Sequence, residues 1–124
     1  MKKLTIEELL QSKKITQKPK MYFDSEVLDR RIDFEKIDPS KIMEALFDAK
    51  DGNMSVHNTN LYIIYLSVPM FRNQQMLEKY GIKDSPYKIV EEIFENNVME
   101  ITNFADTILS IYGFDAKKIE KLKK

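Results

Sequence analysis

The stretch NLYIIYLSVPMF, from Asn60 to Phe71, is the least polar part of an otherwise highly charged chain. As a helix, its apolar side chains would cover most of the circumference, and such helices are usually buried on several sides. A strand would also suit its Tyr, Ile and Val residues, and periodicity alone does not separate the two over so short a run. We favour a helix. Pro69 lacks a backbone donor and its ring would clash with the carbonyl of Tyr65, so the helix is predicted to end or kink at Val68.

The length and polarity of the chain favour a small globular domain over a membrane-spanning or secreted protein. Its 124 residues suit one domain with a real core. The apolar run 61–71 falls well short of the roughly 20 residues that cross a bilayer, and the first 20 residues lack the continuous apolar core of a secretory signal. The absence of cysteine excludes disulfides, thiolate catalysis and cysteine-based zinc sites. We therefore expect a soluble cytoplasmic protein that does not contact the membrane.

Charge is balanced overall but uneven along the chain. There are 20 basic and 20 acidic residues, and residues 1–20 carry six lysines against two glutamates. Residues 21–100 are acidic, whereas residues 101–124 are again basic. A nucleic-acid-binding domain usually concentrates basic side chains on its folded surface. Here they lie mainly near the ends, so no nucleic-acid partner is expected.

Capping signals divide the chain into elements. Thr5 and Glu8 form a capping box that starts a short helix, followed by the linker QSKKITQKPK (residues 11–20). We interpret residues 1–20 as this helix and basic linker, and residues 21–124 as a single helical domain. Within 21–37, weak alternation of apolar and polar residues predicts a β-hairpin that turns near residues 28–29.

Helices are predicted from residue 39 onward. Asp38 with Pro39 and Ser85 with Pro86 are cap-plus-proline starts, and Asn97 with Glu100 caps another helix. Glycines 81 and 113 are predicted helix ends. The predicted buried faces are Ile42, Met43, Leu46 and Phe47; Ile89, Val90, Ile93 and Phe94; and Val98, Ile101, Phe104, Ala105, Ile108, Leu109 and Tyr112. A last short helix is predicted after Asp115, with Ile119 and Leu122 as its apolar residues. The predicted fold is mainly α, with about five to six short helices and an N-terminal hairpin.

The sequence offers little for catalysis. His57 is the only histidine and is flanked by Asn58, Thr59 and Asn60, so a structural role is expected. The acidic residues of segment 24–35 alternate with apolar ones like the exposed face of a hairpin, and lack the glycine spacing of a calcium loop. Three glycines are too few and too scattered for a phosphate-binding loop. No catalytic residue, metal or cofactor is expected, and the chain is not predicted to be an enzyme.

Interaction chemistry is better represented. Seven Met, seven Phe and six Tyr supply adaptable and aromatic side chains. Met70 and Phe71 follow Pro69, where the end of a helix exposes side chains. We predict a partner-binding site formed by Met70, Phe71, Arg72 and Tyr65.

Three segments, in order, resemble the XkdN-like tail assembly chaperones of PBSX-like phages and phage-tail-like particles. They are NLYIIYLSVPMF, MLEKYGIKDSPYKIVEEIF and VMEITNFADTILSIYGFDAKKIEKLK. The family has a similar order: an LYLIY-type run, a proline segment, Leu-x-x-x-Tyr-Gly, Pro-x-x-Ile-Val-x-x-Ile-Phe and a terminal Gly-Phe turn with a Lys-rich end. The matching positions are 76–81, 86–94 and 109–124, and the start LTIEELLQSKK is also similar. Where the family has a more polar Glu-Pro-Asn-Leu-like segment, this chain has Val68-Pro69-Met70-Phe71.

The resemblance implies a non-enzymatic assembly factor in the cytoplasm of the bacterial host. Such chaperones bind the tape measure protein, a long helical chain, and keep it soluble while tail tube subunits polymerise around it. They are typically absent from the mature particle. A tail tube protein and a second copy of the chain are further candidate partners. Two alternatives stay open: a structural tail or connector protein retained in the particle, and a small helical transcription regulator.

Overall fold

The apolar stretch forms the central helix of the protein. In the computed structural model, which describes residues 1–11 and 21–114, it belongs to helix α3, Val56–Ser67, and the prediction of a helix is confirmed. Ser55 caps α3 by accepting a hydrogen bond from the amide of Asn58 at 3.0 Å. Leu61, Ile63 and Ile64 are fully buried. As predicted from Pro69, the helix stops there: Val68 is its extended C-cap residue.

Six α-helices and one hairpin make up the described residues. Their bounds in chain order are α1 Ile6–Gln11, β1 Tyr22–Ser25, β2 Arg30–Asp33, α2 Pro39–Lys50, α3 Val56–Ser67, α4 Gln74–Lys79, α5 Ile89–Ile93 and α6 Val98–Ser110. Two short 3₁₀ helices, the Pro69 turn (Pro69–Arg72) and the Pro86 turn (Pro86–Lys88), connect them. The predicted class, mainly α with a hairpin, is confirmed. The linker residues 12–20 and the helix predicted after Asp115 lie outside the described residues.

The β-hairpin covers one side of the helical body. β1 and β2 pair antiparallel with Phe23 opposite Ile32, and the turn between them includes Asp29 with a φ of 51°. Ile32 and Phe34 face inward and are buried. The hairpin predicted within 21–37 is therefore confirmed, with strands of four residues each.

Five phenylalanine rings, with Phe104 at the centre, join the hairpin, the Pro69 turn and the helices into one core. Phe23 stacks on Phe104 with ring centroids 4.5 Å apart, and Phe34 and Phe94 contact the same ring at 6.0 and 5.9 Å. Phe71 meets Phe94 edge to face at 6.2 Å. Such offset and edge-on pairs add about 0.5–1.5 kcal/mol each beyond the area they bury. The core therefore depends on contacts between residues distant in sequence.

Most of the predicted helix ends are present. Asp38 caps α2 through the amide of Ser40. Gly81, with a φ of 67°, ends α4 in a Schellman motif in which the amide of Ile82 bonds the carbonyl of Leu77 at 2.9 Å. Ser85 differs from the prediction, since its side chain makes no cap bond and the chain begins with the Pro86 turn before α5.

The predicted buried faces are corrected at a few positions. Phe47 on α2 is 50% exposed, and Ala45 is buried instead. The buried positions of α2, Ile42, Ala45 and Leu46, follow the i, i+3, i+4 spacing of one helix face, and Phe47 lies beyond its edge. In the same way Val98 precedes the buried stripe of α6 and is exposed.

Candidate functional site

The Pro69 turn divides the predicted partner site into an exposed and a buried part. Met70 is 64% exposed, whereas Phe71 is only 3% exposed and packs against Phe94. The prediction that Phe71 faces a partner is wrong in this structure. In a 3₁₀ helix residues three apart lie on the same side, so Phe71 lies on the side of Val68, which is fully buried. Met70 points the other way and remains a candidate contact.

Arg72 and Tyr65, the other two predicted site residues, fix the turn to the end of α3. The Arg72 guanidinium donates from Nη1 to the carbonyl oxygens of Tyr65 at 3.0 Å and of Leu66 at 2.6 Å. These carbonyls belong to the last turn of α3, where the helix leaves acceptors without partners and favours positive charge. The Tyr65 side chain is half-buried against the core. Arg72 and Phe71 therefore hold Met70 on a fixed turn.

A second exposed apolar site lies at the start of α6. Val98 and Met99 are 57% and 72% exposed. Met99 lines a groove of about 310 Å³ between the hairpin and α6, together with Phe23, Val27, Asn97 and Asn103. The charged side chains of this groove are the carboxylates of Asp24, Glu26 and Glu100. We call it the α6 groove; of its three carboxylates, that of Asp24 is paired with Arg31 and that of Glu100 with the hairpin.

Glu100 forms the floor of the α6 groove and ties it to the hairpin. Its carboxylate, 7% exposed, accepts hydrogen bonds from the hydroxyl of Ser25 at 3.1 Å and from the amides of Glu26 and Val27. The Ser25 hydroxyl in turn accepts from the amide of Leu28 at 3.0 Å. A buried carboxylate with several donors is well stabilised. Glu100 thus supplies the acceptors that this turn needs.

At the start of α6 the predicted Asn97 cap is present, but the Glu100 side chain does not take part in it. Asn97 does accept from the amide of Glu100 at 3.0 Å. A capping box would return the Glu100 side chain to the start of its own helix, but here that side chain bonds the hairpin. No local sequence signal could have revealed this, because the partners lie 73–75 residues earlier.

A small polar cluster surrounds His57. Its Nε2 lies 3.6 Å from Oε2 of Glu91, and the ammonium of Lys88 contacts Glu91 at 3.3 Å and Asn58 at 2.9 Å. These side chains join the start of α3 to α5 and the Pro86 turn. Within residues 1–11 and 21–114, no three His, Asp or Glu side chains are grouped to hold a metal ion. Through Glu91, His57 connects α3 with α5.

The exposed side of the hairpin is charged. Arg31 bonds Asp24 at 2.8 Å, and its guanidinium carbon lies 3.9 Å from the centre of the Tyr22 ring. The hydrogen bond to Asp24 raises the pKa of Arg31 above its ordinary value. Asp33 and Glu35 are also exposed. The acidic residues of segment 24–35 therefore lie on the exposed face of the hairpin, as the alternation predicts.

Comparisons with known proteins identify no relative. No family model matches the chain, and neither a curated protein nor a solved structure matches it. Among the helices of the described residues, none is long and apolar enough to cross a membrane.

Proposed function

We propose that this chain is a tail assembly chaperone that binds the tape measure protein of a phage or phage-tail-like particle and keeps it soluble before tube assembly. The proposal starts from the ordered resemblance of residues 60–71, 76–94 and 98–124 to that family. The structural observation that carries it is Met70, displayed from a turn that Phe71 and Arg72 anchor on both sides.

A methionine held on a fixed turn suits the binding of helices with different side chains. Its unbranched thioether side chain adapts to irregular apolar surfaces, which is why methionine is common at surfaces that bind several partners. The anchored backbone limits the ordering cost on association. Met99 offers the same chemistry at the α6 groove. Amphipathic helices dock on such surfaces through apolar residues spaced three and four apart.

A tape measure protein is chemically the right kind of partner. A long helical chain exposes an apolar stripe until the tail tube encloses it, and an exposed stripe promotes aggregation. A chaperone that contacts the stripe through a few adaptable side chains leaves room for tube subunits to displace it. This mode of action needs neither cofactor nor catalytic group.

The test is co-expression with the tape measure protein of the same tail operon. The soluble fraction of the tape measure protein should rise with the wild-type chain and rise less with Met70→Asp. Val56→Asp is the matched control, because Val56 is another exposed apolar residue, at 43%, and lies at a helix start where a carboxylate is tolerated. No gain in solubility with the wild-type chain would refute the proposal.

Particle composition separates this function from the structural alternative. Mass spectrometry of purified particles should find the chain absent or far below stoichiometric amounts. Stoichiometric copies would instead identify it as a tail or connector protein. DNA binding in a gel shift that weakens with salt would favour the regulator.

A further inference from the structure

Methionine is the most easily oxidised side chain that this protein contains. The sequence has seven methionines and neither cysteine nor tryptophan. Peroxides convert the methionine thioether to the sulfoxide, and methionine sulfoxide reductases reverse the reaction. Because no thiol of the chain competes for the oxidant, the accessibility of each thioether sulfur decides where a peroxide reacts.

The methionines differ widely in exposure. Met99 is 72% exposed and Met70 is 64% exposed, whereas Met21 is 38% exposed. Met1, at the start of the chain, is fully exposed. The remaining three are partly buried, namely Met43, Met54 and Met76. Among residues 21–114, Met70 and Met99 are therefore the thioethers most open to a peroxide.

The turn that carries Met70 does not depend on the Met70 side chain. Phe71 packs against Phe94 with ring centroids 6.2 Å apart, and Arg72 bonds two carbonyls of α3. A change at the Met70 sulfur leaves these anchors in place. The sulfoxide adds an oxygen that accepts hydrogen bonds, so an apolar contact becomes a polar one. Burying that oxygen against an apolar helix stripe without a donor is unfavourable.

We propose that Met70 and Met99 are sites of reversible oxidation by peroxide, and that the sulfoxide at Met70 weakens partner binding. The second part rests on the proposed function, because it concerns the same contact. The sulfur gives an electron pair to one peroxide oxygen. The O–O bond breaks as the S–O bond forms, and the other oxygen leaves as water. A reductase reverses the change: two of its thiols become a disulfide, and the sulfoxide oxygen leaves as water.

The order of oxidation is measured on the chain alone. The folded chain is treated briefly with dilute hydrogen peroxide, quenched with free methionine and mapped by tryptic digestion and tandem mass spectrometry. Cleavage after Arg72 places Met70 and Met76 in different peptides. Sulfoxide should form at Met70 and Met99 at least about fivefold faster than at Met43 and Met76, which pack against the core. In urea the four rates should become equal. Equal rates in the folded chain would overturn the assignment of these sites.

The effect on binding is measured with the tape measure protein of the same operon. That protein is diluted from denaturant into the chain, and light scattering reports its aggregation. The concentration of chain that halves the scattering should rise about tenfold after oxidation. Met70→Leu keeps the apolar volume without a reactive sulfur, so this variant should retain its effect after peroxide. Met99→Leu, the matched control, should lose its effect as the wild type does.

Two further variants of the assay test the chemistry at the sulfur. Met70→Gln, which is polar and similar in length, should behave without peroxide like the oxidised wild type. Treatment of the oxidised chain with a methionine sulfoxide reductase and dithiothreitol should restore the original effect. The circular dichroism spectrum should be the same before and after brief oxidation, since both sites are exposed.

Three results would overturn the regulation proposed for Met70. One is an undiminished effect of the oxidised wild type, and another is an equal loss with Met70→Leu, which would place the sensitive sulfur elsewhere. The third is a loss of helical signal after brief oxidation, because the fold would then account for the loss of binding. No effect of the unoxidised chain on aggregation would refute the proposed function as well, whereas equal oxidation rates would leave that function intact.

Discussion

The Glu100 carboxylate in the first turn of α6 accepts a hydrogen bond from the hydroxyl of Ser25 at the end of β1, 3.1 Å away and 75 residues earlier in the chain. The same carboxylate receives the amides of Glu26 and Val27. This contact positions the hairpin on the helical body and shapes the α6 groove. It is polar, buried and specific, and its removal should be measurable.

Glu100→Gln should lower the free energy of unfolding by about 2 kcal/mol, because one of the two acceptor oxygens becomes an NH2 donor and the charge that strengthens the remaining hydrogen bonds is lost. Urea denaturation followed by circular dichroism measures this. Glu92→Gln, an exposed position on α5, is the control and should stay within about 0.5 kcal/mol of wild type. Equal stability of the two variants would contradict the role assigned to Glu100.

Substitutions at Met70 and Phe71 should have different effects, on partner binding at Met70 and on stability at Phe71. Phe71→Ala should destabilise the fold by about 3–5 kcal/mol because it empties a buried ring site against Phe94. Met70→Asp, at an exposed position, should change the free energy of unfolding by less than about 0.5 kcal/mol. Thermal and urea unfolding of the two single variants tests this. A large loss with Met70→Asp would show that Met70 supports the core.

Two residues other than glycine adopt the left-handed backbone conformation at the end of α5. Glu95 and Asn96 have φ values of 53° and 60°, and the amide of Asn96 bonds the carbonyl of Glu91 at 2.9 Å, as in a Schellman motif. Left-handed backbone costs a residue with a side chain roughly 1–2 kcal/mol. Glu95→Gly should therefore raise the free energy of unfolding by about 0.5–1 kcal/mol.

The matched control for that change is Glu92→Gly, inside α5. There the backbone is helical, and the same substitution should destabilise by about 0.5–1 kcal/mol. Opposite signs at the two positions in urea denaturation are expected. Destabilisation at both would contradict the left-handed conformation of Glu95.

Asp38 should make the stability depend on pH in the acid range. Hydrogen bonds from Ser40 lower the pKa of the Asp38 carboxyl in the folded protein. The stabilisation is therefore present above the ordinary pKa of 3.8 and is lost as the pH falls through the lower folded value. Asp38→Asn keeps the cap without titrating, so wild type should lose stability relative to this variant below about pH 4. Urea titrations of both proteins between neutral and acid pH measure the difference.

The local features of the fold follow from the sequence, and the distant contacts do not. Asp38, Gly81 and Asn97 act through residues within a few positions, so a cap or a left-handed turn can be recognised from the sequence. The burial of Phe71 is not predicted when Pro69 is taken only as the end of a helix. A 3₁₀ turn after the proline, with Val68 and Phe71 spaced by three, would have predicted it.

The candidate site is less predictable for the same reason. Met70 was identified because a proline interrupts an apolar run, which is a local signal. The α6 groove is built from β1 and α6, whose neighbouring residues are more than 70 positions apart. In the sequence its acidic residues lie in two separate segments, with Asp24 and Glu26 in one and Glu100 in the other. Tertiary packing brings them together.

The bond between Glu100 and the hairpin also sets an order of events during synthesis. Ribosomes add roughly 5–20 residues per second, so the hairpin leaves the ribosome several seconds before its acceptor does. Until then the Glu100 carboxylate is not there to accept from the amides of Glu26 and Val27, and no part of α6 covers Phe23. The hairpin can therefore reach its final contacts only after α6 has been synthesised. A polypeptide truncated before residue 100 lacks the carboxylate that bonds the hairpin turn.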